Sequence, residues 1–330
     1  MTAETSTPRR TPPPLLVVLG LTAGLAAILT LLLAVFILPS LKSGAHDLPV
    51  GVVGAQAMVA EVEQDLSASA PEAYRVEHFD SEQALVDAVR AREVVGGFVV
   101  DGDGVHAVVA SAGSAAIASS VSATATALGL ALDAEVSTSD VVPLPDSDPT
   151  GIGIGGLAFP LVFGGIVPVV AFGKLFPRSN AWKLAGLLTF SVVGGLVVSG
   201  VLRFWFGSIE SGFWPVAGAM ALGIAALAFP LTGLQQAFGG KGFTIGAMTM
   251  MFLGNPLAGI ATTGAWLPSG LGAFGQVLPP GAAGTLVRSA AYFGGAGGLT
   301  AALTLGAWVV LGVVLHIWGT LRQAPAPAQP

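Results

Sequence analysis

An acidic block set between the first and second of six apolar stretches constrains this chain more than any other feature. Residues 15–39 (LLVVLGLTAGLAAILTLLLAVFILP) form the first stretch, long enough to cross a bilayer core of about 30 Å as a helix. A cleaved signal peptide is the rival reading, with Ser43-Gly44-Ala45 as a weak small-residue site. Signal cores usually run only about 7–15 residues, so a retained signal anchor is expected. Five further apolar stretches fall near 152–173, 184–206, 214–237, 243–263 and 296–318. The expected fold is an α-helical polytopic membrane protein. Six transmembrane helices carry a small extracytoplasmic α/β domain inserted between helices 1 and 2. In this reading residues 1–14 and 320–330 are cytoplasmic tails, 40–150 the domain and its linker, and 151–319 a five-helix bundle.

Charge supports the division. Of the 19 acidic residues, 17 lie between positions 40 and 150 with four bases, a net of −13. The remainder carries nine bases against two acids, a net of +7. Only 10% of the chain is charged, against roughly 25% in soluble proteins, which excludes an ordinary soluble enzyme. Arg9, Arg10, Lys174, Arg178, Lys183, Lys241 and Arg322 would all fall on one side of the membrane. The positive-inside rule makes that side the cytoplasm, with both termini there and the acidic block outside. Trp182, Trp205, Trp214, Trp266 and Trp318 fall near expected span ends, where indoles favour the headgroup region.

Within the acidic block, Pro49–Ala55 and Tyr74–Phe79 read as strands, with a helix over Ala57–Ser67. Asp80 with Gln83 three residues on suggests a capping box, opening a helix whose stripe is Ala84, Leu85, Ala88 and Val89. Val94–Val100 and Val105–Ala110 flank Asp101-Gly102-Asp103-Gly104 and read as a hairpin. That turn lacks the further oxygen ligands of a calcium loop. Ser111–Leu132 is helix-tolerant, and Asp140–Thr150, with three prolines, reads as a linker. His46, His78 and His106 lack ligand spacing. With no cysteine, thiolate chemistry and iron–sulfur ligation are excluded.

Gly151-Ile-Gly153-Ile-Gly155-Gly156 matches the dinucleotide fingerprint by letter, but it opens a span rather than joining strand to helix. Close helix packing is the better reading. The chain has no P-loop motif and no serine–histidine–carboxylate cluster. No catalytic residue, cofactor, metal or nucleic-acid partner is expected, and a membrane enzyme is the weakest functional class. Gly242-x-x-x-Gly246 and Gly195-x-x-x-Ser199 suit helix contact, inside the chain or across a dimer. Polar groups within spans are few. Gln235, Gln236 and Asn255 are candidate polar contacts of a cavity, or, for Asn255, backbone repair beside Pro256. Arg203 and His316 lie near span ends and suit interfacial snorkelling. No span carries a mid-membrane Asp, Glu or Lys, which disfavours ion-coupled transport. Residues 266–295, with Pro268, Pro279 and Pro280, are too broken to cross. They are expected to form short re-entrant helices at the outer face, with Arg288 near headgroup level.

One anchor span, an outside α/β domain, then five spans with a broken outer hairpin before the last: this order resembles the membrane subunits of the second class of ABC exporters and the related phage-infection-protein-like membrane proteins. DSEQALVDAVRAREVVGGFVVDGDG (80–104) and FGQVLPPGAAGTLVRSAAYF (274–293) carry the likeness alongside the architecture. The resemblance implies a chain in the bacterial cytoplasmic membrane that dimerises, works with a separate ATPase subunit, and exports lipids, polysaccharides, drugs or peptides. It departs from the pattern at one place. The charged coupling helix usual between the second and third spans is replaced by Gly173–Lys183 (GKLFPRSNAWK). Lys174, Phe176, Arg178 and Trp182 are there as a small ATPase-docking surface or as membrane-interface anchors. A nearly charge-free bundle suits a lipid-like or amphipathic cargo in contact with membrane lipids. The alternative is a non-transporting accessory protein whose outside domain binds another cell-envelope protein.

Overall fold

A computed structural model describes residues 13–102 and 104–323; Arg9, Arg10 and Asp103, used in the sequence reading, lie outside that set together with both outer tails. Six helices among the described residues are long and apolar enough to cross a membrane, and a small sheet accompanies them. They are not the six stretches expected. Ala115–Leu132 is added, and two expected spans are joined into one helical run, Phe213–Gly254.

The sheet contains β1 (Leu48–Gly54), β2 (Tyr74–His78), β3 (Gly96–Asp101), β4 (Gly104–Val109) and β5 (Val136–Asp140). Their order is β2-β1-β3-β4-β5. β1 runs parallel to both neighbours, β3 and β4 form the antiparallel hairpin, and β5 joins β4 in parallel. Side chains alternate across a strand. Leu48, Val50 and Val52 accordingly pack with α2 (Gln56–Ser69) and α4 (Ala115–Leu132), whereas Val53 and Val99 pack with α3 (Glu82–Ala91) on the opposite face. α4 is apolar enough for a span, yet Ile117, Val121, Ala125 and Leu128 form one stripe buried on the sheet. The capping residue of α3 is Ser81 rather than Asp80. Its hydroxyl oxygen accepts from the Ala84 amide at 3.2 Å, satisfying an otherwise orphan donor.

The second part is a helical bundle: α5 (Ile152–Gly155), α6 (Ala158–Leu175), α7 (Asn180–Gly200, continued by a widened turn Val201–Trp205), α8 (Phe213–Thr249), α9 (Leu271–Val277), α10 (Pro279–Tyr292) and α11 (Leu299–Gln323). α8 is the hub, and 78% of its apolar stretch is buried, against 22% for α11. Helices α6, α7, α10 and α11 surround it. Gly239, at φ 69° and ψ −158°, breaks α8 into two arms, a backbone state that side chains resist. The returning arm folds back where Gly242 and Gly246 meet Leu231, Leu234 and Phe238, so this small-residue pair is used within the chain. Gly195 likewise lies against Ala217 and Ala221, and the Ser199 hydroxyl donates to the Phe213 carbonyl.

The returning arm ends in a widened turn, Met250–Gly254. Residues 240–254 rise roughly 22 Å at 1.5 Å each, short of a full crossing. The expected helix to residue 263 stops early because Pro256 supplies no amide proton and its ring crowds the preceding turn. The first helix, α1 (Pro14–Leu41), stands apart. It is apolar on every side, only Pro39 is buried, and its bundle contact is with the turn Met250–Gly254, where Phe36 meets Phe252 edge-on at 6.3 Å.

Candidate functional site

Beyond Asn255 the backbone leaves regular helix and then returns through α9 and α10. Unpaired backbone groups inside an apolar bundle cost several kcal/mol each, so such a segment survives only where side chains satisfy it. Two residues do so. Gln276 donates to the Ala258 carbonyl at 3.1 Å and accepts from the Thr285 hydroxyl at 2.6 Å. Arg288, only 6% exposed, donates to the Ile260 carbonyl at 2.7 Å. Pro279 and Pro280 open α10, where missing amide protons leave no donor orphaned, and both are buried. Trp308 of α11 closes the turn between α9 and α10 by donating to the Val277 carbonyl at 2.8 Å.

The sheet domain sits on this hairpin. The Gly44 amide donates to the Trp266 carbonyl, and Trp266 packs into the core shared by α2 and α4. The Ser147 hydroxyl donates to the Gly207 carbonyl, and the Tyr292 hydroxyl to that of Ser208. Asp148 is 7% exposed and accepts from the amides of Ile152 and Gly153, both at 2.8 Å. The run of glycines at 151–156 is thus a capped helix start, with Gly155 lying close to Ala261. Arg92 closes α3 in the left-handed region at φ 62° and places its guanidinium 5.0 Å from the centre of the Phe293 ring.

Two cavities flank that contact. One of about 700 Å³ lies among Arg90, Asp146, Glu210 and Tyr292. The other, about 250 Å³, is lined by Arg92, Ser114, Thr263 and Phe293 among otherwise apolar residues. Burial lowers the pKa of Arg92. Burial first, then the charge of Arg92, lowers that of Arg288 to about 10, which leaves Arg288 cationic near neutrality. Burial, assisted by the Asp148 carboxylate, raises the Tyr292 phenol to about 12.

The expected site residues fall in three places. Lys174, Phe176, Arg178 and Trp182 gather at the bundle end away from the sheet domain. Phe176 stacks between Phe172 and Trp182 at 6.4 and 6.2 Å, and Lys174 and Arg178 are exposed. Gln236 lies at the same end, exchanging hydrogen bonds with Gln323, and Gln235 sits beside Gly173. Asn255 is instead at the hairpin, 8% exposed, with its side-chain oxygen unpartnered among the described residues. The three amides therefore do not share one cavity. Pro279, Pro280 and Arg288 do share one element, but the Arg288 guanidinium is turned into the protein rather than outward to solvent. Arg203 behaves as a surface anchor, donating to the Glu210 carbonyl. His316 does not, being 5% exposed inside the bundle.

A crevice of about 430 Å³ separates α1 from the bundle. Ala34, Val35, Leu38, Leu253, Leu257 and Leu271 line it, and Lys42 is its one charged lining residue among the described residues. Sequence reasoning missed Arg92, Asp148, Gln276 and Lys42. An available signal for Asp148 was its place just before an apolar run, a helix-start pattern. Comparison with protein-family models, curated proteins and solved structures found no match to this chain.

Proposed function

We propose that this chain is the permease-type membrane subunit of a bacterial exporter, moving a lipid-like or amphipathic molecule, with ATP hydrolysis supplied by a separate subunit. The crevice between α1 and the bundle carries the reading. Its wall is almost entirely apolar, and it lies between α1 and the bundle, beside the turn Met250–Gly254, with the carbon stem of Lys42 as part of its described lining. An acyl chain fits such a wall. In this assignment the sheet domain and hairpin face outward, both termini are cytoplasmic, and α1 meets lipid or a second copy of the chain. The direct test is a photo-crosslinking residue at Leu38, in cells. Capture of lipid-like molecules, competed by nothing water-soluble, supports the reading; capture of protein alone defeats it.

One observation favours a second reading, an accessory protein that positions another envelope component. The connection between α6 and α7 is only four residues, 176–179, and the arms of α8 join directly at Gly239. That leaves Lys174, Phe176, Arg178 and Trp182 as the whole of a docking surface at the 176–179 connection. Alanine at all four positions separates the two readings. It abolishes ATPase association in the exporter and changes nothing in the accessory protein.

A further inference from the structure

We propose that the 250 Å³ cavity between the sheet domain and the hairpin binds a phosphate-class anion, with Arg92 as its principal ligand and the hydroxyls of Ser114 and Thr263 as supporting donors. The site stands whether or not an ATPase partner exists. Its first support is an orphan donor: the Nη1 group of Arg92 is buried and has no hydrogen-bond partner among the described residues. A buried guanidinium without a counter-charge is costly, and an anion held at the cavity wall would compensate its charge.

Its second support is charge. The ion pairs among the described residues involve neither Arg92 nor Arg288, and no carboxylate lines the cavity. Two cations thus approach each other in a buried junction, neither of them in an ion pair among the described residues, and Arg288 spends one donor on the Ile260 carbonyl. The adjoining 700 Å³ cleft is different, because Arg90 there faces Asp146 and Glu210. The hydroxyl oxygens of Ser114 and Thr263 already accept from the amides of Ile117 and Ala265. Each keeps a proton to donate into the cavity.

Size and shape narrow the ligand. A guanidinium fork matches the oxygens of phosphate in a bidentate manner. About 250 Å³ is below the usual range of a drug-sized pocket, so the site takes an anionic group rather than a whole lipid. The anion would bridge the two units, because Arg92 and Ser114 belong to the domain and Thr263 to the hairpin.

The test uses the full chain purified in a neutral detergent and titrated with inorganic phosphate, then embedded in nanodiscs of phosphatidylglycerol or phosphatidylcholine. Saturable phosphate binding with a rise in Tm is expected. Arg92→Gln should weaken it at least about tenfold, and Arg92→Lys by less. Arg90→Gln, which removes an arginine of the adjoining cleft instead, should retain it. A response to phosphatidylglycerol but not to free phosphate, lost in Arg92→Gln, supports the site and makes a lipid headgroup the source. The proposal is overturned if neither anion distinguishes wild type from Arg92→Gln. It is equally overturned if Arg92→Gln lowers Tm by the same amount with and without anion, since Arg92 then serves only as packing on Phe293.

Discussion

Arg288 reaches from α10 to the carbonyl oxygen of Ile260, 2.7 Å away, and so holds a non-helical strand of backbone inside a helical bundle. Gln276 does the same for Ala258. Together they explain how 255–270 can leave the helix without stranding its carbonyls in an apolar interior. They also tie the hairpin to the surface on which the sheet domain rests.

The first prediction concerns that tie. Gln276→Leu removes both the bond to Ala258 and the acceptor for Thr285 while roughly keeping volume. Two lost partners at about 1 kcal/mol each give a destabilisation of about 2 kcal/mol. Thermal unfolding in detergent should show it, together with faster proteolysis between residues 255 and 270. An unchanged Tm would mean that these bonds do not hold the segment.

Helix crossing gives a second, paired prediction. A Cβ on Gly312 would collide with the backbone of Phe229 and Pro230, whereas one on Gly306 meets nothing within 4 Å. Backbone cannot swing aside as a side chain can, so Gly312→Ala should cost about 1–3 kcal/mol or more as α8 and α11 are forced apart. Gly306→Ala should be neutral or stabilising, by up to about 1 kcal/mol, since alanine is the better helix former. Equal yields and melting points for the two variants would contradict the close α8–α11 crossing.

Tyr292 supplies a pH-dependent signature. Its folded pKa is raised, first by burial and then by Asp148, so it keeps its proton above the ordinary range and ionises near 12. The sign follows directly. Stability from the neutral phenol is complete below the ordinary value of about 10 and disappears as pH rises through 12. Tyrosinate absorbance should therefore show a late phase that Tyr292→Phe removes, leaving Tyr74 as the one tyrosine. Asp148→Asn should move that phase to lower pH. A late phase unchanged in Tyr292→Phe would assign it elsewhere.

His316 yields the fourth. Both ring nitrogens are buried without a hydrogen bond of ordinary geometry among the described residues, with a Thr232 backbone group beside the ring, and the Thr232 hydroxyl oxygen is unpartnered too. Replacing the imidazole with a leucine of similar size removes polar atoms that gain nothing from burial. His316→Leu should hold or raise stability by about 1 kcal/mol. A marked drop in Tm would reveal a polar contact essential to the bundle.

Much of the fold was legible because the chemistry is periodic. The runs at 49–55, 94–100 and 105–110 are short and valine-rich, as strands covered on both faces are, and α1 has the length a bilayer demands. β5 was missed because Val136-Ser-Thr-Ser-Asp140 is polar and exposed, an edge strand defined by its neighbour rather than by itself. The fifth expected span ran too far because hydropathy continues through 255–263 while Pro256 ends the helix. α4 shows the opposite case, since apolar content alone cannot distinguish a lipid-facing helix from one lying on a sheet. The junction was least visible. Arg92 and Phe293 are about two hundred positions apart, and nothing local to either announces the contact. The candidate polar contacts show the same limit, for Gln235 and Gln236 lie at one end of the bundle and Asn255 at the hairpin.

Purification of the tagged chain from its native membrane in mild detergent, with mass spectrometry of the chains that accompany it, tests the exporter assignment most directly. An exporter subunit should bring with it an ATPase in stoichiometric amount, lost when Lys174, Phe176, Arg178 and Trp182 are all replaced by alanine. Recovery of envelope proteins with no ATPase, unchanged by those replacements, would contradict it and make the sheet domain the working part of an accessory protein.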